Sequence, residues 1–441
     1  MKSVDVVVVG GGIVGCVLAT GLSQDSGLSS GSGLSQTSGL SKRSGLQVAL
    51  IDSAAPVSSS SLKTKAPTKT PVTNDFNPFT DTRVIALARR TVQELKALNV
   101  QLDKLAEYSF GELPPTINAI EVSDSGHLGL VNLAAKDFHI SSFGQVVSLS
   151  ALTKLVADSN DSYEHVAPAK VVSVKQHVDH TDVTLDNGEC YRAKLLVLAD
   201  GGRSPLAEQV GIGRNESDYG QTAIVFNVHT QLAHNNKAYE RFTDSGPLAF
   251  LPFDNEIDGE KSSNNGFSVV WTVKSDKAAH LLAMSANEFA SALQDAFGYR
   301  QGKIEKVSDK SSYPLSLKLA SDVTAHRTVI VGNAAQALHP IAGQGFNLGL
   351  RDIHTLISVL TRNTASPSDP GDFAVLHEYA SKRSKDRKTT VALTDTLVHT
   401  FSNRHFPLVV GRNISLLALG MLPAAKKQFV KQTTGYGLGA K

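Results

Sequence analysis

Cysteine is nearly absent from the chain: its 441 residues include two, Cys16 and Cys190. Two thiols build neither a disulfide framework nor a multi-cysteine metal site, so disulfide scaffolds and zinc modules are excluded and a reducing compartment is expected. Excess charge of one sign is also missing, with 43 Lys and Arg against 41 Asp and Glu and a formal net charge of +2. Binding to nucleic acid draws on clustered Lys and Arg, so it is not the expected partner. Nor is there an uninterrupted apolar run of the ~20 residues that a bilayer crossing needs. The nearest, Phe406 to Leu422, carries Arg412 and Asn413 at its middle and is bracketed by Pro407 and Pro423. The apolar N-terminus is interrupted by Asp5 and lacks a small-residue cleavage pattern, so it reads as strand, turn and helix and not as a signal peptide. A cytoplasmic chain, soluble or resting on a membrane surface, is the expectation.

What the chain does have is the means to build a core. The hydrophobic share is 41% and the charged share 19%, a packed globular composition. At roughly 150 residues per domain, two domains or one large composite are expected. Ser-Gly-Leu recurs from Ser26, Ser32, Ser38 and Ser44. So little apolar surface cannot offset the entropy of ordering the chain, and 26–46 is expected to be a flexible insertion, as is the Ser-, Thr-, Lys- and Pro-rich stretch 56–78. The remaining pattern is mixed α/β. Val4 to Val9, Gln47 to Ile51, Ala193 to Ala199 and Thr328 to Gly332 are short apolar runs suited to a buried parallel sheet. Arg83 to Leu98 has helical spacing at Ile85, Leu87, Leu95 and Leu98, and Asp186-Asn187-Gly188 reads as a hairpin turn. Ala223 to His229, Ala238 to Phe242 and Phe267 to Val273 predict strands of an antiparallel sheet, and helices are expected from Gly345 to about Leu360 and from Pro370 onward.

Three motifs carry chemistry. Gly10-Gly11-Gly12-Ile13-Val14-Gly15 satisfies G-x-G-x-x-G between a strand and a helix. Gly10 permits the tight turn, Gly12 lets the backbone approach a pyrophosphate, and Gly15 allows close packing of helix on sheet. The helix N-terminus then holds phosphate with its free N–H groups and dipole. Asp52 ends the second strand, where an acidic residue is expected to bond the adenosine ribose; it lies 42 residues after Gly10 because the first insertion lengthens the connection. The second motif, Leu198-Ala199-Asp200-Gly201-Gly202-Arg203-Ser204, also closes a buried strand. The third runs from Val331-Gly332-Asn333 through His339-Pro340-Ile341-Ala342-Gly343-Gln344-Gly345-Phe346-Asn347-Leu348-Gly349 to Asp352. It is a strand, a proline-bearing loop and a glycine-rich helix start.

These three pieces, in this order, resemble the class A flavoprotein monooxygenases. Within that family, the stretch His339 to Gly349 and Asp81-Thr82-Arg83-Val84-Ile85-Ala86-Leu87 are similar to the ubiquinone-biosynthesis hydroxylases. The resemblance implies an α/β fold: a Rossmann-like FAD-binding domain of GR2/PHBH type (1–215 and 315–370) interleaved with a substrate domain on an antiparallel sheet (216–314), followed by C-terminal helices (371–441). It places Asp200 and Gly201 by the flavin pyrophosphate and the visiting nicotinamide nucleotide. Gly332, Asn333, Pro340, Gly343, Gln344, Gly345 and Asn347 fall on the flavin ribityl side, Arg83 near the flavin, and Gln145 where relatives contact the ribityl chain. The cofactor implied is FAD, with NAD(P)H as co-substrate and no Rossmann domain of its own. Oxygen would form a flavin hydroperoxide that attacks a phenol ring.

Asn333 stands where the family usually has Asp. The segments Gly332 to Gln336 and Leu408 to Ile414 resemble the branch that hydroxylates 2-polyprenyl-6-methoxyphenol to the 1,4-benzoquinol. A sibling acting at another ring position and a non-catalytic flavin-binding subunit of the biosynthetic complex are the alternatives. His339 is the candidate catalytic residue, with backbone bonding in its loop as the competing role. Cys16 is expected to pack, and Trp271, Phe250 and Phe253 either line a substrate cavity or fill the core. No metal ligand set is expected. The implied partners are a prenylated phenol, O2 and other ubiquinone-biosynthesis proteins. Peripheral contact with the inner membrane would run through Leu416, Leu417, Leu419 and Met421, for which core packing is the competing role.

Overall fold

The structure, a computed structural model, describes residues 1–23, 45–55, 83–108, 113–158, 162–361, 369–401, 413 and 418–436. The 56–78 stretch and all but the last two residues of 26–46 lie outside the described residues, as do Asp81, Thr82, the segment 408–412, Ile414, Leu416 and Leu417.

Among the described residues, two large sheets and two small ones, of three and of two strands, organise the chain. The first is built on parallel strands in the spatial order Thr328–Ile330, Cys190–Leu198, Lys2–Val9, Val48–Ile51 and Glu164–Val166. Strands this apolar form such a sheet because both of its faces are covered. Val6, Val8, Leu50, Leu195 and Val197 join one core cluster with the helix Ile13–Ser23, while Val7, Val9, Ile51, Leu196 and Leu198 join a second cluster on the opposite face. The period of two divides each strand between them. The hairpin Val171–Gln176 and Thr181–Leu185 extends the sheet antiparallel, and Gly188, at φ 84°, makes the predicted turn into Cys190–Leu198.

The second sheet runs in the order Gln336–Ala337, Ser311–Ala320, Arg214–Thr230, Gly266–Lys274, Gly246–Pro252, Lys237–Thr243, Ala119–Asp124 and Leu130–Ala134, with Ile304–Val307 beside Arg214–Thr230. The three strands expected from sequence are there, but the sheet does not stop at 216–314. Ala119–Asp124 and Leu130–Ala134, from the segment assigned to the cofactor domain, complete one edge, and Ala119–Asp124 pairs with Lys237–Thr243 in parallel. The far face packs on the helix Ala286–Phe297. Trp271 and Phe250 lie in that core, Phe250 stacked on Phe297 at 3.8 Å between centroids, so both are packing residues.

One expected helix is half strand. Val84–Ala88 pairs with Gly144–Ser148 in a three-stranded sheet, and the helix begins at Arg89. Ile85 and Leu87 satisfy the period of a strand as well as that of a helix, and pairing decides between them. The C-terminal helices are Gln344–Leu360, Phe373–Phe401 and Pro423–Thr433. Among the described residues no helix is long and apolar enough to cross a membrane.

Candidate functional site

All three glycine-bearing turns open on one cavity of about 1180 Å³. Its wall takes Gly10, Gly12 and Asp52 from the first turn and Asp200, Gly201 and Arg203 from the second. The third contributes Gly332, Asn333, Pro340, Gly343, Gln344, Gly345 and Asn347, and Arg83 joins from the three-stranded sheet. Ordinary small-molecule sites hold about 300–1,000 Å³. This one has room for a dinucleotide and a second molecule.

The first turn shows why each glycine is there. Gly10 has φ 110°, and a Cβ on it would meet the Ala199 carbonyl oxygen at 2.6 Å. A Cβ on Gly15 would meet the Gly10 carbonyl oxygen at 1.9 Å, so Gly15 serves packing and does not line the cavity. Around Gly12 nothing lies within 4 Å, so the backbone at the helix start faces open space. The Asp52 carboxylate accepts from the Gly11 N–H and, at 2.6 Å, from the Ala54 N–H, fixing the loop at the cavity rim. Cys16 is fully buried, its Sγ 3.2 Å from the Gly11 carbonyl oxygen, and burial pushes its thiol up to about 12.

The other turns are stapled by their own carboxylates. Asp200 accepts from the N–H groups of Gly202 at 2.9 Å and Ser204 at 3.1 Å and from the Ser204 hydroxyl. Asp352 accepts from the Gly332 N–H at 3.2 Å, the Gln336 amide at 2.8 Å and the Arg383 guanidinium at 2.7 Å. Gly343, at φ 60°, caps the N-terminus of Gln344–Leu360 and so presents that helix's first N–H groups and its dipole to the cavity. The buried Asn347 side chain accepts from the Ala88 N–H at 2.8 Å and donates to the carbonyls of Ala86 and Gly343 at 3.0 and 2.8 Å. It ties the loop to the three-stranded sheet.

A model of the FAD binding domain family matches residues 150–394, more than half of the chain. The chain belongs to this family, in its FAD-dependent monooxygenase branch. Relatives include ubiquinone hydroxylase UbiL of Rhodospirillum rubrum, 38% identical over 270 residues that make up 61% of this chain and 61% of that protein. The chain thus matches less than two thirds of that relative's length. The 3-demethoxyubiquinol 3-hydroxylase of Escherichia coli is 27% identical over 98% of each chain. In fold, the chain is similar to p-nitrophenol 4-monooxygenase PnpA from Pseudomonas putida, with a TM-score of 0.70 over 99% of each chain at 17% identity. The α/β architecture, a Rossmann-like FAD-binding part interleaved with a sheet-built part and closed by C-terminal helices, is that of these FAD monooxygenases.

The residues present fit FAD. The open space at Gly12 would admit a pyrophosphate, and Asp52 and the helix start at Gly343–Gly345 line the same cavity, where they would meet the rest of the dinucleotide. Two expected site residues lie elsewhere. Gln145 belongs to the strand Gly144–Ser148, donates to the Pro114 carbonyl at 2.9 Å and does not line the cavity. His339 is 0% exposed, lies edge-on to Tyr219 with centroids 5.4 Å apart and does not line the cavity, although Leu338 and Pro340 do. Among the described residues neither of its ring nitrogens has a hydrogen-bond partner, and burial pushes its pKa down to about 4. It is a buried neutral ring, neither the base that its loop suggested nor a backbone clasp.

The nearest approach to a metal cluster among the described residues is His177, His180 and Asp182 on the hairpin turn. The two rings stack at 4.4 Å and 17°, and Arg192 holds the Asp182 carboxylate at 3.1 Å. Sequence reasoning missed two things: the buried Arg383–Asp352 pair behind the third turn, and Glu240, a carboxylate on the cavity wall.

Proposed function

We propose that this chain is an FAD-dependent hydroxylase of ubiquinone biosynthesis that uses NAD(P)H and O2 to convert 2-polyprenyl-6-methoxyphenol to the 1,4-benzoquinol. The observation that carries this reading is the continuity of the cavity. From the glycine turns it passes onto the near face of the second sheet, where Val122, Val225, Ala249, Leu251 and Val270 are roofed by Leu397, Leu419 and Phe429 of the C-terminal helices. An apolar chamber next to a dinucleotide site suits an aromatic ring with a hydrocarbon tail. Bound FAD would supply the redox chemistry that activates oxygen. The protein's part is to hold the ring over the cofactor, exclude water with the helical roof and provide dipoles at the Gln344–Leu360 N-terminus.

The likeness to the 3-demethoxyubiquinol 3-hydroxylase along 98% of both chains favours a second reading, hydroxylation at a different ring position. Mass identification of the compound that accumulates when the protein is removed separates the two. A methoxyphenol with its tail intact supports the first reading, and a later quinone intermediate supports the second. A flavin-binding organiser without catalysis would oxidise no NAD(P)H in response to a prenylphenol. Delivery of so apolar a substrate calls for other biosynthetic proteins or peripheral contact with the inner membrane. Met421, 79% exposed, and Leu422, 55% exposed, offer apolar surface beside the roof, whereas Leu419 packs inward.

A further inference from the structure

Glu240 lies in the strand Lys237–Thr243, from which Ala238, Glu240 and Phe242 present side chains to the cavity. The intervening Tyr239 packs in the core of the opposite face and is hydrogen-bonded to the Gln301 amide. Across the sheet, Glu240 is flanked in register by Val122 on one side and Ala249 on the other; Val270 follows Ala249, and Val225 follows Val270. All four flanking residues are apolar and all line the cavity. The roof above is Leu397, Leu419 and Phe429. One carboxylate therefore stands in a row of hydrocarbon. Among the described residues it makes no hydrogen bond or ion pair. An unpaired carboxylate in such a setting costs free energy that a valine would not. Packing gives no reason for it, whereas a ligand with a hydroxyl group does.

Resting on the hydroxylase reading above, we propose that Glu240 is the catalytic base that accepts the ring-hydroxyl proton of the phenolic substrate. The step moves one proton. The phenol O–H bond breaks, a carboxyl O–H bond forms on Glu240, and the electron pair stays on the phenol oxygen, where it enriches the ring carbon para to it. One atom of O2 bonds to that carbon and the other is reduced to water by the two electrons of NAD(P)H; the ring hydrogen leaves as a proton taken up in forming that water, the proton held by Glu240 returns to the phenol oxygen, and the carboxylate is restored. Desolvation pushes the Glu240 carboxyl up to about 7, closer to the value of ~10 for a phenol, which makes the transfer more efficient. The other charged or titratable side chains on the cavity wall, Asp52, Arg83, Lys170, Asp200, Arg203 and Tyr313, form no ion pair with it.

The test is Glu240→Gln in the FAD-loaded protein, assayed with NAD(P)H, O2 and a 2-prenylphenol. The proposal expects FAD content to stay at the wild-type level and coupled hydroxylation to fall about 10²–10⁴-fold. NAD(P)H consumption then diverts to hydrogen peroxide, and Glu240→Asp restores part of the loss. The wild-type kcat should rise with pH through one ionisation near 7, and Glu240→Gln should abolish that rise. Coupled turnover of Glu240→Gln within about threefold of wild type overturns the proposal. If Glu240→Gln fails to retain FAD, the wild-type profile decides, and a kcat that is flat from about pH 6 to 8 overturns it. Wild-type protein that forms no hydroxylated prenylphenol overturns the function itself and this base with it.

Discussion

Gly12 and Gly15 stand three residues apart in one turn and answer to different forces, which makes them separable by substitution. Gly12 faces open space, so Gly12→Val should leave the unfolding midpoint of the FAD-free protein near that of FAD-free wild type while abolishing FAD retention, read as loss of flavin absorbance after gel filtration. Gly15→Val drives a side chain into the Gly10 carbonyl and should cost ~1–3 kcal/mol or more, lowering the midpoint along with FAD content. His339 and Glu240 make opposite demands on pH. The folded-state pKa of His339 is lowered to about 4, so its contribution is present above the ordinary histidine value of ~6.5 and is lost as pH falls toward 4. Glu240 is raised to about 7, so its contribution is present below the ordinary value of ~4.3 and is lost as pH rises through 7. Both windows lie between about pH 4 and 7 and have opposite sign, so across that range His339→Leu should make stability climb less with rising pH and Glu240→Gln should make it climb more, each by on the order of 1–3 kcal/mol. The close packing at Gly10 and Gly15 was legible in sequence because it follows from local backbone geometry. The role of Glu240 was not, since one acid among Tyr239 and Arg241 does not announce which face of a strand is the cavity wall.

Between elements, the third turn is held by a buried ionic cluster. Arg383, on Phe373–Phe401, bonds Asp352 of Gln344–Leu360 at 2.7 Å and Asp386 at 2.6 Å, and Arg351 meets Asp386 at 2.9 Å. Asp352 in turn accepts from the Gly332 N–H. Removing one partner leaves a charge buried without compensation, typically a loss of 3–5 kcal/mol. Arg383→Met should lower the free energy of unfolding measured by chemical denaturation by that much and loosen FAD, although Arg383 does not line the cavity. Equal stability in the variant would show that the cluster is not what holds the helix to the turn. Sequence placed both helices but not this contact, because Asp352 and Arg383 lie 31 residues apart on separate elements. The strand Val84–Ala88 was obscured for a related reason: its apolar spacing suits two periods, and the partner that decides, Gly144–Ser148, lies far along the chain.

At the scale of the whole molecule, one cavity joins segments from both halves of the chain. The parallel sheet brings all three turns to the carboxyl ends of its neighbouring strands, and the second sheet supplies a floor to which Ala119–Asp124 contributes despite its distance in sequence from the other strands. That interleaving hid the sheet's true extent, since nothing local to residues 119–124 names Lys237–Thr243 as their neighbour. The account rests on this shared chamber serving one reaction between flavin and phenol. Its most direct test is turnover of a 2-prenylphenol by the FAD-loaded protein under oxygen-18 gas with NAD(P)H. The account predicts one labelled oxygen atom in the ring of each product molecule and one NAD(P)H consumed for each label. NAD(P)H oxidation that does not respond to the phenol, with no label in the ring, would contradict it.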